Sequence, residues 1–359
     1  MTPMTDVPEV SRAGKLHGLL LVVAAYAPAK ALTAMRTNLA AGRETEVAAG
    51  IVDVVSNGHL PLSPVDRAVL AAIVPDDPRL PLLAQHESGQ LPGLMYRFQA
   101  ALPAPEVFKG QVPPVLDLTS APDLWVQACL DDVDRAVVQA TELIAGAAAL
   151  FRSWRYAPPV PPSRVYLLEA DVPIAELAAL TAQIQQVLTE RGQSDPQVEV
   201  YSPESALPPY QRTARGAAAL LWTADNDAPT VRLSRVFDRA DADEGPQFDA
   251  HHPRMSGTEV DLVAGYLDDG SPLLTTTERM LDVVDPQRGR IVPMNYLTDG
   301  RWVWTDTVSY YLRVHALRPD PELLEHMRAV GFAMPQVDAV AAHRAMASLY
   351  LPAEPVWVI

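Results

Sequence analysis

Cysteine occurs once in this chain, at Cys129. A lone thiol forms no intramolecular disulfide, so nothing points to an oxidising compartment, and its apolar helical surroundings suit a core side chain better than a nucleophile. Lysine is almost as rare, with only Lys15, Lys30 and Lys109 among 28 basic residues. None follows Lys109, so the rest of the chain has no lysine for a Schiff base or for clamping a phosphate. The dinucleotide, Walker, Cys-x-x-Cys and Gly-x-Ser-x-Gly fingerprints are missing as well. Gly14-Lys15 has neither the upstream glycine nor the following hydroxyl of a phosphate loop. His86-Glu87 opens like a zinc-protease helix but places Gln90 where the second histidine belongs. On these grounds no cofactor is expected.

Long apolar runs and positive charge are also scarce. The best run, around Leu19 to Val23 within 15–31, falls short of the ~20 residues that span a bilayer. It imitates a secretory signal, but Asp6 and Glu9 spoil the basic leader and Pro28 follows the small-residue site, so a cytoplasmic location is expected. The net charge of −16 argues against binding to nucleic acid or to an anionic membrane, because phosphate binding needs a basic surface, and it favours a basic protein partner. Oligomeric state is left open.

Proline is what the chain has in excess, 34 residues against 18 glycines, placed between periodic segments rather than inside them. Many short elements with stiff connections follow. A length of 359 residues exceeds what one core usually serves, and two domains are expected. The first reads as mainly helical, 1–157. Val47, Ile51, Val54 and Val55 form a stripe stopped at Asn57-Gly58; Ser63 can cap a second helix with Pro64 in its first position and Val69, Leu70 and Ile73 buried. A longer helix capped by Ser120 is expected from 121 to about 156, with Leu124, Cys129, Val133, Val137 and Leu143 inside. The proline-rich stretch 158–163 then reads as a linker.

From 164 to 359 strand and helix patterns alternate, giving an α+β or α/β fold. Strands are expected at 164–169, 198–201, 217–223 and 231–237, helices at 174–190 and 260–267, and a hairpin across Asp299-Gly300, followed by three helices starting near Asp306, Asp320-Pro321 and Pro335.

Several constellations invite a chemical reading. Between 225 and 269 there are 11 carboxylates and four arginines, with Asp238, Asp241, Asp243, Glu244 and Asp249 close to His251 and His252. The spacing fails the calcium-loop pattern, since Gly245 is one place early and His252 occupies the glutamate position, so 238–252 reads as a solvated acidic loop and no metal is expected. Arg212 and Arg215, after Pro208-Pro209-Tyr210, form a pair suited to a carboxylate or phosphate, or to neutralising acidic neighbours. His315, His326 and His343 lie on the terminal helices, where a satisfied histidine is the ordinary outcome. The segment 299–312 holds two of the six tryptophans. A two-residue Asp299-Gly300 turn would oppose Leu297 to Trp302 and Asn295 to Trp304, putting both tryptophans on one face of the ribbon. That face can be covered by the next helix or by a partner; Trp302, Trp304, Leu297 and Tyr310 are the candidate binding residues.

The run 281–332 carries Asp285-Pro286, Val292-Pro293-Met294, Asp299-Gly300, Trp302-Val303-Trp304-Thr305-Asp306, Tyr310-Tyr311-Leu312 and Pro319-Asp320-Pro321-Glu322-Leu323-Leu324. It resembles part of uncharacterised cytosolic proteins of high-GC Gram-positive bacteria loosely associated with toxin and immunity loci. The resemblance covers about a seventh of the chain and implies no residue roles. It favours a cytoplasmic interaction module, an immunity or adaptor protein for a basic partner. The alternatives are an enzyme using a polar inter-domain cleft with Asp249, His251 or Arg212, and a subunit of a larger assembly.

Overall fold

The computed structural model describes residues 11–83, 91–108, 111–225, 230–241 and 243–351. Asp6, Glu9, the His86-Glu87 pair, Gln90 and Lys109 lie outside these residues. The chain divides into two units, 1–226 and 227–359. The fold is α+β.

The first unit begins with helices α1 (Arg12–Val23), α2 (Ala29–Ala40), α3 (Glu44–Gly58), α4 (Pro64–Ile73) and the short α5 (Leu80–Leu83). Ser63 caps α4 as expected, its hydroxyl accepting from Asp66 N at 3.1 Å with Pro64 in the first turn. After these come β1 (Arg97–Gln99), α6 (Pro105–Phe108), β2 (Leu116–Asp117), α7 (Asp123–Cys129), α8 (Asp132–Glu142), β3 (Ala147–Ala157) and β4 (Val160–Ala170). The unit closes with α9 (Leu177–Glu190), β5 (Gln197–Tyr201), α10 (Pro209–Arg215) and β6 (Ala219–Thr223). The sheet order is β2-β6-β3-β4-β5, with β1 also paired to β3. Strand β4 runs antiparallel to β3 and parallel to β5, with α9 as the crossover.

Two sequence expectations are corrected here. Residues 158–163 are not a linker: Ala157 pairs with Val160, so Pro158-Pro159 turns a long hairpin inside the sheet, and the division between units falls instead at 226/227. Pro161 and Pro162 are tolerated because the register shifts between Ala157 and Arg155, where the ladder is interrupted. The expected helix over 121–156 is α7, α8 and β3. A capping box at Asp131, whose side chain accepts from Val133 N and Asp134 N, restarts the helix, and Gly146 at φ +82° turns the chain into β3.

One face of this sheet is apolar. Leu150, Tyr166, Leu168, Val198, Val200, Ala219 and Leu221 pack with Val137 of α8 and with Ile184 and Leu188 of α9. Alternation along β5 sends Gln197, Glu199 and Tyr201 to the opposite side, and all five residues of the strand are buried. Strand β5 ends the sheet, and helices answer its free edge. The His17 ring on α1 donates from Nε2 to the Val200 carbonyl at 2.8 Å, and Thr33 on α2 donates to Pro196 O at 3.1 Å. Covering an edge in this way removes a template for unwanted strand pairing.

The second unit contains β7 (Arg232–Leu233), β8 (Arg239–Asp241), β9 (Gly245–Gln247), α11 (Glu259–Asp268), β10 (Ser271–Leu274), β11 (Arg279–Leu281), β12 (Arg290–Pro293), β13 (Tyr296–Thr298) and β14 (Trp302–Thr305). Helices α12 (Asp306–His315), α13 (Pro321–Ala329) and α14 (Ala339–Ser348) end it. A four-stranded sheet runs β10-β13-β14-β7, with β11-β12 and β8-β9 as separate antiparallel pairs. The strand expected at 231–237 is confined to Arg232–Leu233. Among the described residues no helix is long and apolar enough to cross a membrane.

The hairpin at Asp299-Gly300 forms, but not as a two-residue turn. Leu297 opposes Trp304 and Thr298 opposes Val303. The longer loop wins because the Asp299 carboxylate accepts from both Arg301 N, at 2.8 Å, and Trp302 N, at 2.7 Å, while Gly300 takes φ +88°. A register change of two residues leaves both tryptophans on the same face. Val263, Leu267, Leu312, Leu323 and Met327 cover that face.

Candidate functional site

The aromatic residues singled out from the sequence are mostly interior. Trp304 is 1% exposed and donates from its indole to Leu267 O at 3.0 Å, and Trp302 is 5% exposed. Leu297 is partly buried against the same cluster. The Tyr310 hydroxyl donates at 2.8 Å to Asp282, a fully buried carboxylate that also receives His315 Nε2 at 2.7 Å. These residues come together as scaffold, packed by helices of their own unit.

Other sequence candidates are scattered. Arg212 is exposed on α10 of the first unit, His251 is exposed and His343 is buried. His326 Nε2 and the Tyr266 hydroxyl both reach Asp299 Oδ2, at 2.7 and 2.5 Å, so the carboxylate oxygen of Asp299 that the turn does not use is also bonded internally. Among the described residues no three His, Cys, Asp or Glu side chains are grouped to hold a metal ion.

One concave site does assemble within the second unit. Three segments enclose a cleft of about 360 Å³: Arg235–Asp238 after β7, Asp249 with His252-Pro253 after β9, and Arg318–Pro321 between α12 and α13. This volume lies near the lower end of the range for small-ligand pockets. Asp238 ties the first two segments together, its Oδ2 accepting from Asp249 N and from His252 Nδ1, both at 2.8 Å. His252 Nε2 lies 2.9 Å from Arg318 O, while Arg318 N donates to Pro253 O at 2.9 Å, which fixes the third segment. Asp320 caps α13 through Glu322 N, at 2.9 Å, and accepts from Arg235 N and Nε at 3.1 and 3.2 Å. Beneath lies an aromatic floor. Phe248 packs edge-on against Tyr311 at 4.8 Å and against the His252 ring at 5.0 Å, and Phe237 is 5.1 Å from Phe248.

Two of the carboxylates here, Asp238 and Asp320, are stabilised as anions. For Asp238, burial pushes the pKa up, but the Asp249 N–H, the His252 ring and the Arg235 charge outweigh it and hold the group below its usual value. Asp320 behaves alike, with the N–H groups of Glu322 and Arg235 and the Arg235 guanidinium overcoming burial. Asp249 pairs with Arg239 at 3.0 Å. The Arg318 guanidinium, in contrast, meets no acceptor among the described residues, although its backbone is held on both sides. Sequence reasoning had placed Asp238, Asp249 and His252 in one acidic loop but missed Arg318 and Arg235; the proline-framed Arg318-Pro319-Asp320-Pro321 was the available signal, read only as a helix start.

The first unit has its own concentration of polar groups, on the β5 face away from the apolar core. Arg36 and Glu199, 3% and 0% exposed, approach to 2.5 Å, and Gln211 Nε2 donates to Glu199 Oε2 at 2.8 Å and to Leu21 O at 2.9 Å. These bonds join α1, α2, β5 and α10, which is the work of a scaffold. No family model, curated protein or solved structure matches the chain.

Proposed function

We propose that this chain is a cytoplasmic interaction module of the immunity or adaptor kind, engaging a basic protein partner at the cleft of its second unit. One observation carries the reading: the cleft is rigidly built and charged, yet apart from the Arg318 guanidinium, which neither attacks nor shuttles a proton, its charged lining groups are committed to partners within the unit. Both ring nitrogens of His252 face acceptors, and among the described residues no serine, threonine, cysteine or lysine lines the walls. Proton transfer or nucleophilic attack requires such a group within reach of a substrate. This disfavours the alternative of an enzyme working in a polar cleft.

The partner's charge is inferred from the β8-β9 hairpin. It rises from the cleft rim, its stem closed by Asp238 N donating to Gln247 O at 3.1 Å, and it exposes Asp241, Asp243 and Glu244. Such a patch steers a basic partner toward the site and falls in influence with salt. Trp302 and Trp304 serve the role indirectly, by holding the scaffold.

A photo-crosslinking residue placed at Arg235, whose side chain is 72% exposed, should capture one discrete basic protein in the native host. The same residue at Leu262, exposed on α11, should not. Equal capture at both positions, or none at Arg235, rules the cleft out as the contact.

A further inference from the structure

Resting on the reading of that cleft as a binding site, we propose that it takes a single carboxylate, which pairs with the Arg318 guanidinium. The case is one of charge left over. Each carboxylate of the cleft already has its cation or its N–H donors: Asp238 the His252 ring and Asp249 N, Asp249 the Arg239 guanidinium, Asp320 Arg235 and Glu322 N. Arg318 alone among the charged lining groups has none within the described residues. A guanidinium offers a planar fork that a carboxylate matches with two parallel hydrogen bonds.

The site is also prepared for that bond. Arg318 N donates to Pro253 O and Arg318 O faces His252 Nε2, so the backbone that carries the side chain is fixed before any ligand arrives. Less ordering remains to oppose binding. Pro253, Pro319, Pro321, Val236 and Phe237 supply apolar wall for the body of the ligand.

The flanking charges select the class. Asp238, Asp249 and Asp320 are matched in number by Arg235, Arg239 and Arg318, so a dianion such as phosphate would bring two uncompensated negative charges where a monocarboxylate brings one. The carboxylate has two sources of the same chemistry, the chain end of a partner peptide or a small organic acid. A basic peptide ending in a free carboxylate would satisfy Arg318 and the acidic hairpin together.

The test uses the full chain and four probes in calorimetric titration: hippurate, the peptide acetyl-Lys-Arg-Leu with a free C-terminal carboxylate, its C-terminal amide, and inorganic phosphate. The free-acid peptide is expected to bind and its amide to bind at least about tenfold more weakly, the loss of a charged hydrogen-bond pair. Arg318→Gln should weaken the acid by a similar factor, Arg318→Lys less, and Arg313→Gln, on the exposed face of α12, not at all. Binding of hippurate as tight as the peptide identifies the small acid as the source. The proposal is overturned if neither acid binds, if R318Q binds either acid as wild type does while far-UV circular dichroism reports an intact fold, or if phosphate competes best. Retained crosslinking from Arg235 in R318Q would then leave the interaction reading standing while the carboxylate is lost.

Discussion

At the scale of single residues, the buried polar groups of the first unit set how the protein responds to acid. His17 lies at the junction of α1 with the free edge of β5, where its Nε2 proton is committed to Val200 O. Burial lowers its pKa from 6.5; the Val200 carbonyl pulls the other way, Arg36 adds to the lowering and Glu199 opposes it. The unfolded chain therefore takes up this proton first as pH falls. Stability is unaffected by this group well above 6.5 and declines as pH drops below 6.5 toward the lower folded value. Denaturant titrations between pH 7.5 and about 5 should show this loss. In His17→Gln, whose amide can still donate to Val200 O, the slope should flatten; a slope unchanged by the substitution would remove His17 as its source.

At the scale of elements, the second unit depends on how closely α11 meets the hairpin. Gly270, which joins α11 to β10, faces the Trp304 ring: a Cβ there would lie 2.5 Å from Trp304 Cζ2 and 3.0 Å from Leu297 Cβ. Neither neighbour has room to retreat, since Trp304 is anchored by its indole bond to Leu267 O. Gly270→Ala should cost about 1–3 kcal/mol, the usual range for overpacking a filled core. Gly265→Ala, in the interior of α11 with open space at the Cβ position, should be neutral or slightly stabilising, because alanine is the better helix former. Thermal melts of the two variants give the comparison, and equal melting temperatures would mean that the α11 to hairpin contact is loose. The same contact explains why the tryptophans are scaffold: indoles this deep contribute area to folding and leave none for a partner.

At the scale of the whole molecule, the division at 226/227 separates two groups of internal contacts, each with its own sheet and apolar cluster. Each is large enough to bury a core. Expressed separately, 1–226 and 227–359 should each give a cooperative unfolding transition by circular dichroism, and only the second should retain carboxylate binding. A fragment lacking a cooperative transition would show that its stability depends on the rest of the chain. The excess of negative charge acts at long range and screens away in salt, so it bears on the proposed encounter with a basic partner more than on fold.

Much of the element pattern was legible in the sequence because local rules govern it. Ser63-Pro64 before α4, Asp320-Pro321 before α13 and the apolar spacing of α9 and α11 each act within a few residues, and each element stands where expected. The α+β class followed from their order. What sequence could not supply was pairing and depth. Pro158-Pro159 reads as an extended connection until Ala157 is seen opposite Val160, and the face of Trp302 and Trp304 reads as covered either by the next helix or by a partner until α11 and α13 are seen upon it. Arg318 was signalled only by its proline frame, since its lack of an acceptor among the described residues follows from folding 249–253 against 318–321. Local chemistry determined which segments became helix or strand; only long-range packing decided which side chains were left uncovered or unpaired, because burial and charge pairing join residues far apart in the chain.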